Sequence, residues 1–188
     1  MGSIRSIHDI HDGDMILESG GSIIADEIQW FENSDWNHAL RCFWVRGRLY
    51  AYEAKGRGPT ATPFEVHLAD YQRGKKRAIV VRPRYGYLRE DVDKMFHFVN
   101  PLCGKARYGY WNLIVLQGIK YGWKKLFGKE LWLGNNARYQ NDRFYICGQL
   151  VMRMEDIALG NQPDWESAAP VDIFNMPHCI HLPIKINQ

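Results

Sequence analysis

Two runs of apolar and aromatic residues, HALRCFWV (38–45) and RLYAYEAK (48–55), are separated only by Arg46 and Gly47. Runs of this kind read as strands, and a two-residue gap carrying glycine reads as a tight turn. The feature constrains the fold strongly because a tight turn also sets which residues face each other. With the turn centred on Arg46-Gly47, His38 faces Lys55 and Leu40 faces Glu53. Directly paired residues share a side of the sheet, and so do residues two apart on one strand. His38 and Glu53 are therefore expected on one face as diagonal neighbours, roughly 7–8 Å apart at their Cα atoms and in reach through their side chains. A carboxylate so placed can orient an imidazole and stabilise its charged form. The same geometry also fits a solvated rim pair or a structural histidine, and the hairpin alone favours those blander readings. A one-residue slip in the turn would put the two side chains on opposite faces.

Around the hairpin, GDMILES (13–19) reads as a short strand and KRAIVVRP as a strand over 77–82 stopped by Pro83. Residues 56–63, GRGPTATP, read as loop, and PFEVHLADYQRG as mixed. LREDVDKMFHFVNP carries Leu88, Val92, Met95, Phe96 and Val99 at helical spacing, with acids in its first turn and Pro101 at its close. YWNLIVLQGI (110–119) reads as a second, more buried helical segment. YICGQLVMRMEDIALG places Leu150, Met154 and Ile157 on one stripe, with Gly160 as the stop. Four prolines in the last residues, 161–188, predict an extended tail wrapping the domain. Strands first and helices later indicate an α+β class, and 188 residues suit one domain over 1–188.

Net charge is +3 without strong clustering of Lys and Arg, which gives no support to a nucleic-acid partner. No apolar run is long enough to span a bilayer, and MGSIRSIHDIHDGD lacks the apolar stretch of a secretory signal, so a cytoplasmic location is expected. The four cysteines share no CxxC arrangement and read as free thiols of a reducing compartment. No glycine-rich phosphate loop occurs, and no cofactor is expected. His8, Asp9, His11, Asp12 and Asp14 crowd the N-terminus, and HCIH stands in the tail. Neither offers a fixed ligand geometry, so no metal is expected.

Cys147 begins an amphipathic helix, where the positive end of the helix dipole favours a thiolate and a nearby imidazolium favours it further. Gly148 beside it would let a substrate approach the backbone. Cys42 and Cys103 read as small buried hydrophobes, although alternation puts Cys42 on the His38 face. Cys179, between His178 and Ile180, makes a poor triad because neighbours on an extended tail point different ways.

In chain order the sequence runs from a Gly-Asp-hydrophobic element to HAL, then YEA, then GKARYGY, then YICGQLV heading a helix. That order resembles the circularly permuted members of the NlpC-like papain-fold cysteine hydrolases, the YiiX-like group. The resemblance covers about residues 13 to 160. It implies a papain-like α+β fold, with an antiparallel sheet or barrel packed against helices and the nucleophilic cysteine at a helix N-terminus. It implies Cys147 as nucleophile, His38 as general base and acid, and Glu53 as the orienting carboxylate. Tyr108 matches the family tyrosine and would offer its hydroxyl to the oxyanion together with the Cys147 N–H, with Tyr110 as the alternative. Three departures stand out. Gly148-Gln149 replaces Ser-Glu, Gly109 replaces the Asp after the tyrosine, and the span from Tyr108 to Cys147 is longer than a compact member needs.

That span implies an insertion near 111–140. Within it, residues 120 to 133 alternate lysines with Trp123, Leu126, Phe127, Leu131 and Trp132, which suits a lipid surface, a lid or a core helix with a solvated edge. The expected activity is hydrolysis of an amide, ester or thioester through an acyl-enzyme. The resemblance suggests small peptides of cell-wall type or acyl lipids as substrates. Lys55 and Arg57 would form a basic rim for a substrate carboxylate. The other class is a non-enzymatic ligand-binding module on the same fold.

Overall fold

The structure, a computed structural model, describes residues 2–20, 34–108, 118–128, 144–160 and 168–186. Its strands are β1 (Met15–Ser19), β2 (His38–Val45), β3 (Arg48–Lys55), β4 (Gly58–Pro63), β5 (Arg77–Pro83), β6 (Arg107–Tyr108), β7 (Phe144–Tyr145) and β8 (Cys179–Pro183). The α-helices are α1 (Phe64–Gln72), α2 (Arg89–Val99), α3 (Gly118–Phe127), α4 (Cys147–Leu159) and α5 (Pro170–Phe174). Six strands form one antiparallel sheet in the order β4-β3-β2-β1-β5-β8. The short strands β6 and β7 pair separately and in parallel. The architecture is α+β, with helices on both faces of the antiparallel sheet.

The β2–β3 pairing is the one the turn residues dictate: Leu40 opposes Glu53 and Val45 opposes Arg48. Arg46 and Gly47 have φ of 51° and 78°. Two left-handed residues make the turn whose twist matches that of the strands it joins. Alternation along these strands then divides the core. One face carries Ile16, Leu40, Cys42, Ala51 and Val80, which pack on Phe64 of α1 and on Ile4 and Ile10. The other carries Met15, Leu17, Ala39, Phe43 and Tyr52, which pack on Met95 and Val99 of α2 and on Leu150, Val151 and Met154 of α4.

Three stretches differ from expectation. Residues 58–63 are not loop but the edge strand β4, with Thr60 opposite Glu53 and Pro63 opposite Tyr50. Proline is tolerated at an edge because its missing N–H deprives only one side of the ladder, so a loop-like composition hid a strand. PFEVHLADYQRG contains the regular helix α1, whose inward residues include Phe64, His67 and Tyr71. A buried histidine at the centre of that face broke the apolar pattern a helix is recognised by. The tail is not extended throughout: it forms α5 and then the strand β8 antiparallel to β5. The helical segment expected over 110–119 lies outside the described residues apart from the first residues of α3, as does most of the 111–140 stretch.

Candidate active site

His38 opens β2 and Cys147 opens α4, so both stand at the ends of their elements. The β2–β3 register puts Glu53 diagonal to His38, and the two side chains meet, His38 Nε2 lying 2.8 Å from Glu53 Oε2. His38 is also hydrogen-bonded to Cys147. Because Nε2 is committed to Glu53, Nδ1 is the ring nitrogen left for the sulfur. The His38 side chain is 18% exposed and Glu53 is fully buried. Three residues drawn from β2, β3 and α4 thus meet as thiol, imidazole and carboxylate.

Local structure positions the thiol. The parallel pair β6–β7, with Tyr108 opposite Tyr145, delivers the chain to Ile146. Gln149 Oε1 accepts the Ile146 N–H at 3.2 Å and closes the first turn of α4. The backbone N–H groups of Ala39 and Gly148 point at the Cys147 sulfur. Gly148 does not open a path for substrate: a Cβ there would lie 2.4 Å from the Ala168 carbonyl oxygen, so the Ala168–Ala169 backbone fills that space. Its glycine is required by this close approach.

Electrostatics separate Cys147 from the other thiols. Burial works to push it up, but the charge of His38 and the hydrogen bonds to it outweigh burial and hold the thiol below its ordinary 9.0. Burial without such a partner pushes Cys42 well above that value, Cys103 up to about 11 and Cys179 up to about 12. Burial opposes the charged form of His38, yet Cys147 and then Glu53 raise it to about 10. Glu53 is buried, but hydrogen bonds from His38 and His67 and the charges of both rings hold its carboxyl well below the usual range.

The network continues beyond the three residues in a direction the sequence did not indicate. Glu53 Oε1 lies 3.0 Å from His67 Nε2 and 2.7 Å from Lys55 Nζ. His67 Nδ1 lies 2.6 Å from Glu18 Oε1. That same oxygen accepts the Tyr71 hydroxyl at 2.6 Å, and Glu18 Oε2 accepts Lys76 Nζ at 2.8 Å. Glu18 is carried next to His38 by the β1–β2 pairing. The available signals were an acid inside the apolar strand MILES and a histidine spaced between Phe64 and Tyr71 on one side of α1. Lys55 is therefore not a free rim cation, since its ammonium is held by Glu53, while Arg57 is exposed in the β3–β4 turn. Of the tyrosines proposed for the oxyanion, the Tyr108 backbone lies beside β7. Tyr110 is outside the described residues. Next to His38 in the chain, the buried Asn37 Nδ2 has no hydrogen-bond partner among the described residues.

The acids at the N-terminus are committed to nearby backbone and to Arg82, and the His8 ring stacks on Trp44. Asp9 accepts the N–H groups of Arg5 and Ser6, Asp12 accepts that of Trp44, and Asp14 pairs with Arg82. His181 of the HCIH stretch bonds the Phe174 carbonyl. Among the described residues no group of three or more His, Cys, Asp or Glu is arranged to hold a metal ion. No helix among the described residues is long and apolar enough to cross a membrane.

No family model matches the chain, and no curated protein matches it. Among solved structures it is similar to the metalloprotein YiiX from Escherichia coli O157:H7, a DUF1105 protein. The two share 18% sequence identity with a TM-score of 0.59, over 94% of this chain and 98% of that one. A likeness at this identity is one of fold: the six-stranded antiparallel sheet with its helices is a YiiX-like α+β architecture.

Proposed function

We propose that the chain is a cysteine hydrolase of permuted papain-like type, with Cys147 as nucleophile, His38 as base and acid, and Glu53 as the carboxylate that orients the ring. The observation that carries the reading is the hydrogen-bonded series Cys147–His38–Glu53, with the imidazole held at 2.8 Å by a buried carboxylate. The Cys147 thiolate attacks the carbonyl carbon of an amide, ester or thioester, forming a C–S bond while the carbonyl electrons move to oxygen. The Cys147 N–H, which opens α4 and has no intrahelical acceptor, is one donor for that oxyanion, and the Tyr108 hydroxyl is the second by the family resemblance. As the tetrahedral species collapses, the His38 Nδ1 proton passes to the leaving group. A water then gives its proton to His38, attacks the acyl-enzyme and releases the thiolate. Substrate classes in keeping with the resemblance are small peptides of cell-wall type and acyl lipids. The exposed Ile119, Trp123, Leu126 and Phe127 of α3 favour the acyl-lipid class.

Brief labelling with iodoacetamide under native conditions, read by mass spectrometry, tests this. Cys147 is expected to label ahead of Cys42, Cys103 and Cys179, and His38→Ala to slow it near neutral pH. Equal labelling of the four thiols, or unchanged Cys147 reactivity in His38→Ala, would overturn the assignment.

A further inference from the structure

His67 is 2% exposed and stands between two carboxylates, Glu18 at 2.6 Å from Nδ1 and Glu53 at 3.0 Å from Nε2. A neutral imidazole has one N–H and one lone pair. In either neutral tautomer, one ring nitrogen would present its lone pair to a carboxylate oxygen at hydrogen-bond distance. Protonating a carboxylate does not resolve the conflict cheaply, because each already has other donors. Glu18 takes Tyr71 and Lys76, and Glu53 takes His38 and Lys55. The ring that satisfies both sides carries two protons.

We propose that His67 is a fixed imidazolium that acts through Glu53 to set the pH range over which Cys147 and His38 stand as thiolate and imidazolium. Its role is that of a positioning and charge-setting residue, and this consequence rests on the hydrolase reading. The groups facing the ring are Glu18 from β1, Glu53 from β3, and Phe64 and Tyr71 from its own helix, with Lys55 and Lys76 at the outer ends. Charges alternate along the line: Cys147 negative, His38 positive, Glu53 negative, His67 positive, Glu18 negative, Lys76 positive. Burial opposes charge on His67, but its bonds to Glu18 and Glu53 raise it above the ordinary histidine value. A second cation on Glu53 weakens that carboxylate's pull on His38 and, from the far side of Glu53, adds positive charge to the field the thiolate feels. Removing it should raise both ionisations together, so the whole reactive window moves toward alkaline pH.

Two measurements decide this. Nitrogen-edited NMR of the imidazoles, in wild type and in Cys147→Ala, should show two ring protons on His67 from about pH 6 to about pH 9, although an unperturbed histidine is neutral over the upper part of that range. A single ring proton there overturns the proposal. In His67→Gln, the pH profile of Cys147 alkylation should move up by roughly half a unit to one unit, less than the 1–3 units a directly contacting charge produces. A lower melting temperature with an unmoved profile would make His67 structural and overturn the proposal. Should His67→Gln not fold, a single ring proton on His67 in the wild-type NMR spectrum still overturns the proposal, and His67→Asn carries the alkylation profile. Failure of Cys147 to label selectively would sink the hydrolase reading alone, because the His67 proton count does not depend on it.

Discussion

The sheet buries a charge cluster on each face, and the two are built differently. On the α1 side, His38, Glu53, His67 and Glu18 alternate imidazole with carboxylate, and the line reaches solvent through Lys55 and Lys76, 44% and 19% exposed. On the α4 side, Arg41 and Glu155 meet at 2.6 Å with neither side chain exposed. There the Tyr87 hydroxyl donates to Glu155 at 2.5 Å, while Arg41 also reaches Met95 Sδ and the Val151 carbonyl. Arg41 follows His38 on β2, and Glu155 lies two turns along α4 from Cys147. The arginine pair ties the helix of the thiol to the strand of the imidazole, with a guanidinium that keeps its charge at any working pH. The imidazole line instead uses groups whose protons can move. One cluster holds geometry and the other sets protonation.

The largest effect should come from breaking the arginine pair. Glu155→Gln leaves Arg41 charged, dry and without its anion, which costs about 3–5 kcal/mol for a buried pair deprived of one member. Thermal melts should show a large fall, and a second change, Arg41→Met, should restore part of it. A Glu155→Gln protein melting like wild type would remove the holding role and collapse the contrast.

A smaller and pH-dependent effect is expected on the other face. Glu53 accepts from three cationic donors, so Glu53→Gln should lose stability by about 2 kcal/mol at neutral pH, as well as slowing Cys147 alkylation. The sign follows from the shifts. His38 is raised from 6.5 to about 10, so its contribution is complete below 6.5 and fades as pH rises through about 10. Glu53 is lowered, so its contribution is complete above 4.5 and is lost only in strong acid. The stability gap between wild type and Glu53→Gln should therefore narrow through about pH 10, whereas the gap for Glu155→Gln should stay constant over the same range. Melting curves of the three proteins across that range make the comparison; parallel gaps would show that the two clusters differ in nothing but position.

The weakest expected effect lies outside both clusters. Ile119, Trp123, Leu126 and Phe127 recur at helical spacing on α3 and are 48%, 41%, 79% and 57% exposed. If this face docks on lipid, the protein should sediment with anionic vesicles at low salt and be released as salt screens its lysines. No sedimentation at any ionic strength would remove the lipid surface and weaken the acyl-lipid reading.

The diagonal pair His38–Glu53 was legible because a two-residue turn leaves one register, and register alone decides which side chains share a face. The start of α4 at Cys147 was legible from the apolar stripe and the Gly160 stop, since both are local. His67 and Glu18 were not. They join the line only because β1 pairs with β2 and α1 returns over that face, and neither event leaves a trace in the spacing of nearby residues. The same holds for Lys55: its position two residues beyond Glu53 placed it near the site, but only the packed structure turns its ammonium onto that carboxylate.

Local chemistry in the chain determined the hairpin, its register, the helix that begins at Cys147 and the presence of a thiol, an imidazole and a carboxylate in a suggestive order. Tertiary structure alone decided that β4 is an edge strand, that Gly148 is closed by the Ala168 carbonyl, that Arg41 finds Glu155 and that Glu53 is shared between two histidines. The division has a physical cause. Turn geometry and amphipathic periodicity act between neighbours in sequence, whereas the pairing of buried charges is chosen by desolvation, which acts only once distant segments have excluded water together.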